Sequence, residues 1–311
     1  MEVFACKGCG TALTRPLTRV PYPVYAGLQY GNGVTMPVLM EAGTYGVDEG
    51  PAGEPRLIVI APGDAHGTAM VQRRELGACC GVDGRYGPNV TCAGCGRKVA
   101  TRVDDCSLWQ ATWLEPAAVS PVPAGPDPPA ADWPTVTDRW RAADLSDGDG
   151  RRSIRWDVEA AVTLAHLVHA ADGAPLALAA GPLALAFRPL LAQLPPPEPG
   201  PARRAALAGP GLPPTGPRAD IAVVPRHPRT GEYWPTPPGV TAVPLAAAFW
   251  ASLVFRDERE LAPATGGLPP GVERDYPLPP HPLYPAYLDR WLFRAVLNRL
   301  NGVEGAPDDR W

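Results

Sequence analysis

The 311-residue sequence predicts an α+β chain in three parts: a β-rich domain over residues 1–115, a proline-rich linker over 116–150, and a small α/β or mainly helical domain over 151–311. Three observations carry this prediction. Apolar residues in 1–115 lack a 3.6-residue period and sit in short runs between Gly, Pro and Asp turns, as strands do. Prolines crowd into residues 116–134, 195–217 and 263–285, which hold seven, nine and eight of them. Beyond residue 151 the pattern becomes that of amphipathic helices with readable starts and stops.

In the first part, Leu57–Ala61 and Ala69–Val71 read as strands, and Val99, Thr101 and Val103 alternate with polar neighbours as a half-buried strand does. Proline fixes φ and removes a donor, so neither helix nor central strand is expected within the three clusters. Their abundance has a plain cause. Of 28 basic residues only Lys7 and Lys98 are lysine, the usage of a GC-rich gene, so the prolines are not read as docking motifs.

In the last part Ser153 can cap a helix reaching about Ala171, with Ile154, Val158, Ala161, Val162, Ala165 and Val168 on one face and Gly173 after its end. Pro175–Ala180 and Ile221–Val224 read as strands, and 183–193 and 245–256 as helices, the former limited by Pro189. A final helix has Pro285 near its first turn, then Leu288, Leu292, Ala295, Val296 and Leu300 on one face, and Gly302 as its stop.

The net charge of −4 and a charged fraction of 19% leave no basic footprint for nucleic acid. Residues 1–115 balance ten basic against eleven acidic groups. The uncharged runs 173–187 and 240–255 are too short or too broken by Gly and Pro to span a membrane, which takes about 20 apolar residues. The start, Met-Glu-Val-Phe-Ala-Cys, has neither a basic nor an apolar leader region. A soluble cytoplasmic chain with reduced cysteines is the expectation.

The cysteines fall at 6, 9, 79, 80, 92, 95 and 106. Residues 6–10 (CKGCG) and 92–96 (CAGCG) repeat one pattern, C-x-G-C-G. Two residues between cysteines let one tight turn aim both sulfurs at a single ion, and the following glycine permits positive φ. Two such knuckles supply four thiolates to a tetrahedral site, so one structural zinc held by Cys6, Cys9, Cys92 and Cys95 is expected. Four thiolates leave no position for water, so hydrolysis at this metal is not expected. The alternative of two redox C-x-x-C pairs lacks the strand-to-helix setting of a thioredoxin motif. A different ligand set would use Cys79 or Cys80 with Cys92 and Cys95.

The 82 residues between Cys9 and Cys92 far exceed the insert of a minimal zinc ribbon. With the C-x-x-C-G form, this spacing resembles the β-tent group: zinc-containing B-type methionine-sulfoxide reductases, Yippee-like proteins and the cereblon thalidomide-binding domain. The resemblance covers residues 3–115 and implies a zinc-ribbon-like or β-tent-like module in which two knuckles clamp two sheets. The reductase branch departs at Cys106, which stands in Asp104-Asp105-Cys106-Ser107-Leu108 without the family's neighbouring Asn. Two acidic neighbours should also raise that thiol's pKa. The stretch from Cys79 to Leu114 resembles uncharacterised actinobacterial proteins and carries no activity with it.

Other candidates each have a plainer reading. Cys79, Cys80, Cys106 and His66 could form a second metal site, or be small buried groups and a turn histidine. Asp64 and His66 could act as an acid/base pair, or be loop residues. His166 and His169 have helical i, i+3 spacing but no third ligand. Trp109 and Trp113 could line an aromatic pocket like the cereblon-type one, or pack in a core. Arg226, His227, Arg229, Glu232 and Tyr233 follow the 221–224 strand, where α/β folds place ligand loops, and are the best small-molecule or phosphate site outside the cysteine module. The competing reading is a hairpin turn on Thr230-Gly231. No P-loop, dinucleotide fingerprint or Gly-x-Ser-x-Gly elbow occurs. The function expected is a zinc-stabilised protein that binds an unidentified protein or small molecule; the alternative is an enzyme with its site near 226–234.

Overall fold

The computed structural model describes residues 1–29, 36–48, 57–71, 81–141, 154–213, 219–255 and 287–303. The chain divides into two compact units, Met1–Ala130 and Ala131–Trp311. Among the described residues no helix is long and apolar enough to cross a membrane.

The first unit is built from strands. A two-stranded antiparallel ribbon pairs β1 (Glu2–Cys6) with β9 (Val119–Pro123). A seven-stranded sheet runs in the order β2 (Thr18–Arg19), β3 (Thr44–Asp48), β4 (Leu57–Ile60), β8 (Ala111–Leu114), β7 (Lys98–Val103), β6 (Val90–Cys92), β5 (Thr68–Met70). All its neighbours are antiparallel except β2 with β3. The expected strands at 57–61, 69–71 and 99–103 are β4, β5 and β7. Ribbon and sheet share one core, in which Phe4 and Val119 of the ribbon meet Leu13, Leu17, Tyr45, Ile60, Val90, Val99 and Leu114. Phe4 sits edge-on to Tyr45, with ring centroids 5.1 Å apart. Burying a side chain such as Leu13, Leu17 or Ile60 contributes about 1.5–3 kcal/mol each. The Tyr45 hydroxyl donates to the Glu2 carboxylate, and burial first, then that carboxylate, pushes the phenol up from its ordinary range.

The stretch expected as a linker, 116–150, is described to residue 141 and holds a strand and a helix there. β9 crosses it with Pro121 and Pro123, residues that a two-stranded ribbon accepts because each strand has an unpaired side. Helix α1 (Trp133–Arg141) opens the second unit. Asp132 caps it by accepting from Thr135 N at 3.0 Å, and the Thr135 side chain and N–H hold its carboxyl below the ordinary range.

The second unit carries a four-stranded parallel sheet in chain order, β10 (Leu176–Leu178), β11 (Arg203–Leu207), β12 (Ile221–Arg226) and β13 (Thr241–Ala246). Its other described helices are α2 (Ile154–Ala171), α3 (Pro182–Leu191), α4 (Ala247–Val254) and α5 (Arg290–Leu300). α2 packs on β13 and α5, and α4 on α1 and β12. The aromatic centre is Phe249, which touches Trp156 and Phe187 at centroid distances of 5.1 and 6.3 Å. Trp250 donates its indole N–H to Ala208 O.

β11 corrects the expectation that no central strand lies within 195–217. The prolines of that cluster stop at Pro201 and resume at Pro210, and the proline-free segment between them forms the strand. The helix expected at 245–256 is α4, and the first part of the apolar run 240–255 is a strand the sequence reading did not give, β13, which reaches Ala246. Pro244 is tolerated because β13 is an edge strand. The proposed cap Ser153 and first-turn Pro285 lie outside the described residues. The observed cap of α5 is Asp289, which accepts from Leu292 N at 2.9 Å.

Candidate functional site

Each C-x-G-C-G segment turns at the end of a strand, the first after β1 and the second after β6. The two turns have the same hydrogen bonds. Gly10 N donates to Cys6 O and Gly96 N to Cys92 O, both at 2.8 Å. Cys6 N donates to Thr11 O at 2.9 Å and Cys92 N to Arg97 O at 2.8 Å. Gly10 and Gly96 have φ of 75° and 72°, which is why glycine follows the second cysteine in both. The third position differs: a Cβ on Gly94 would lie 2.5 Å from Thr11 Oγ1, whereas one on Gly8 would meet only ordinary contacts.

The four sulfurs converge, all within 4.8 Å of one another. Cys6 Sγ lies 3.6 Å from Cys95 Sγ, and Cys9 Sγ lies 3.6 Å from Cys92 Sγ, so each close pair joins the two turns. A metal–sulfur distance of about 2.3 Å in a tetrahedron requires sulfurs roughly 3.8 Å apart, so the donor set fits an ion at its centre. Cys6 and Cys92 are buried, and Cys9 and Cys95 are exposed. Backbone N–H groups aim at the sulfurs, Gly8 N at Cys6 Sγ at 3.4 Å among them. The Thr11 hydroxyl, 3.2 Å from Cys9 Sγ, and the Thr11 N–H hold that thiol down to about 6. The turn between β8 and β9 is tied to the first knuckle by Lys7 Nζ, which donates to Pro116 O at 2.8 Å. Arg97 Nη2 reaches Ala117 O at 3.5 Å from the second. This centre therefore bolts the ribbon to the seven-stranded sheet. A tetrahedral four-thiolate set suits zinc or iron.

Among the described residues no other cysteine joins it, Cys106 being partly buried and outside the group. Cys79 and Cys80 lie outside the described residues. Asp64 is buried and accepts from Gly43 N at 2.7 Å, a structural use of the carboxylate. His66 is exposed and donates its backbone N–H to Leu13 O. Trp109 is buried and donates its indole N–H to Tyr25 O at 3.1 Å, while Trp113 is partly buried on β8.

Residues 226–234 form a tight hairpin. His227 N donates to Glu232 O at 2.7 Å and Trp234 N to Pro225 O at 3.0 Å. Gly231 has φ of 74°, as the turn requires. His227 is buried at 4% exposure. Its Nδ1 accepts from Arg229 N at 3.2 Å and Thr230 N at 3.1 Å, so Nε2 carries the proton and donates to Ala131 O at 3.0 Å. Both ring nitrogens are thus spent on shaping the loop and pinning the approach to α1. Arg226 turns away to the buried Glu159 of α2, its Nη2 lying 3.1 and 3.0 Å from the two carboxylate oxygens. Tyr233 is exposed, and Glu232 Oε2 accepts from Thr230 Oγ1 at 3.2 Å.

An open depression of about 560 Å³ lies beside this hairpin, lined by Trp133, Gly231, Glu232, Tyr233 and Pro235. Trp133 is held nearly perpendicular to His227 and to Trp234, with centroids 5.4 and 5.6 Å away. The sequence reading missed Trp133 because it falls in the proline-rich stretch. The signal was Asp132-Trp133-Pro134-Thr135, a cap residue followed by proline in a first helical turn.

The two histidines of α2 do not share a ligand: His169 Nδ1 lies 2.8 Å from Asn301 Oδ1. Burial, with Arg226 and then His169 adding repulsion, pushes His166 down to about 4. The unfolded ring titrates near about 6.5. The unfolded chain therefore takes the proton first, and stability is full above that value and lost as pH falls towards 4. The expected loss is about 2 kcal/mol after discounting for partial exposure. Urea midpoints at pH 7.5 and 4.5 should separate less in His166→Gln than in the parent; an unchanged separation would remove His166 as the cause.

No family model matches this chain, and no curated protein and no solved structure matches it.

Proposed function

We propose that this is a zinc-stabilised binding protein. One structural zinc ion held by Cys6, Cys9, Cys92 and Cys95 secures the first unit, and recognition of a protein or small molecule takes place elsewhere on the chain. The observation that carries this reading is the closed four-sulfur set joining two sheets. A filled tetrahedron has no position for substrate, and its contribution is to stability. The same join favours the β-tent resemblance over a minimal zinc ribbon. The reading takes the chain as soluble and cytoplasmic, where thiolates stay reduced.

A second reading, an enzyme with a small-molecule site near 226–234, draws on the depression after the carboxyl end of β12. Binding is the better use of that site, since the imidazole that acid/base chemistry would use, His227, is engaged at both nitrogens. Elemental analysis of the purified chain should find one equivalent of zinc. Iron in its place, or no metal in a folded sample, would overturn the proposal.

A further inference from the structure

The depression beside the β12 hairpin has a chemistry specific enough to name a ligand class. Trp133 and Tyr233 supply aromatic rings, Pro235 an apolar ring, Glu232 a carboxylate, and Gly231 a side-chain-free stretch of wall. No cationic side chain is among these five lining residues. Arg226, nearby in sequence, is directed to Glu159 instead. Aromatic faces carry negative potential, and a positive group over them gains roughly 0.5–2 kcal/mol, more as water is excluded.

A primary ammonium wants several acceptors, whereas a quaternary ammonium can donate no hydrogen bond and leaves water at lower cost. One carboxylate among rings suits the second. The walls are also set in advance. His227 joins the hairpin to Ala131, two residues before Trp133, and its own ring packs edge-on to that indole. Asp132 fixes the helix start that carries Trp133. Such preorganisation lowers the entropy lost on binding.

We infer that this depression binds the quaternary ammonium head of a choline-sized small molecule, with Trp133 and Tyr233 as the aromatic contacts and Glu232 as the counter-charge. The inference deepens the binding reading above and rests on it. Its test uses the full chain, with choline as probe and tryptophan fluorescence or amide chemical shifts as readout. The uncharged isostere 3,3-dimethylbutan-1-ol should bind at least about tenfold more weakly. Glu232→Gln, at an exposed position, and Trp133→Leu should each weaken choline by a similar factor.

Equal binding of alcohol and choline would overturn the inference while leaving a binding site. Choline affinity unchanged in Glu232→Gln would overturn it too, as would no response to choline. A trimethyllysine peptide binding a hundredfold tighter than choline would overturn the small-molecule source. None of these results bears on the zinc reading, which stands or falls on the metal content.

Discussion

Serine in place of Cys92 is expected to cost the first unit its metal and its fold. Cys92 is 1% exposed and ends β6, and its sulfur lies 3.6 Å from that of Cys9 across the two knuckles. Structural zinc contributes on the order of 10–16 kcal/mol of apparent binding free energy, against a total stability of about 5–15 kcal/mol for a typical domain. A three-thiolate remnant with a buried hydroxyl cannot hold the ribbon on the sheet. Zinc content and thermal unfolding by circular dichroism read the result. The parent should show a transition that moves sharply down with chelator, and Cys92→Ser should lack it. A variant that keeps its zinc and melts like the parent would remove the structural role.

Alanine at Gly67 is expected to destabilise the first unit strongly without touching a ligand. Gly67 has φ of 57°, and a Cβ there would stand 2.3 Å from the backbone oxygen of Ala12 and 3.2 Å from Thr11 Cγ2. Its carbonyl accepts from Ala93 N at 2.9 Å, inside the second knuckle, while Ala12 follows the first. One small residue is therefore wedged between both turns. A left-handed backbone and a clash with main chain add to about 3 kcal/mol or more. Gly63, in the same loop, has open space around it and negative φ, so Gly63→Ala should stay within about 0.5 kcal/mol. Urea unfolding of the two variants makes the comparison, and equal stabilities would show that the wedge is not required.

The knuckles were legible because their code is local. Two cysteines and a positive-φ glycine within five residues specify a turn whatever surrounds it, and the convergence of the two turns followed from shared chemistry. Strands β4, β5 and β7 were legible from short apolar runs bounded by turn residues. β11 was not, because proline density was read over a window wider than the eight-residue gap, 202–209, that holds it. Strand β13 was hidden for another reason: Val243 to Leu245 are buried side by side with no 2-residue alternation, so they read as continuous with the apolar helix that follows. The hairpin on Thr230-Gly231 was readable as a turn, yet its partner Trp133 comes from a segment about a hundred residues earlier. Nothing local announces such a pairing. The same holds for Glu159 with Arg226, which only the packing of α2 brings together.

The cross-linked arrangement of the sulfurs has a consequence for biosynthesis. Cys6 closes on Cys95, and β1 takes its hydrogen-bonding partner from residues 119–123. At roughly 5–20 residues per second, the ribosome delivers the second turn on the order of ten seconds after the first. Throughout that interval the leading thiols wait without their tetrahedron, open to oxidants and to stray cations. The first turn is thus made well before the partner that completes it, and the exposed interval of its thiols falls during translation.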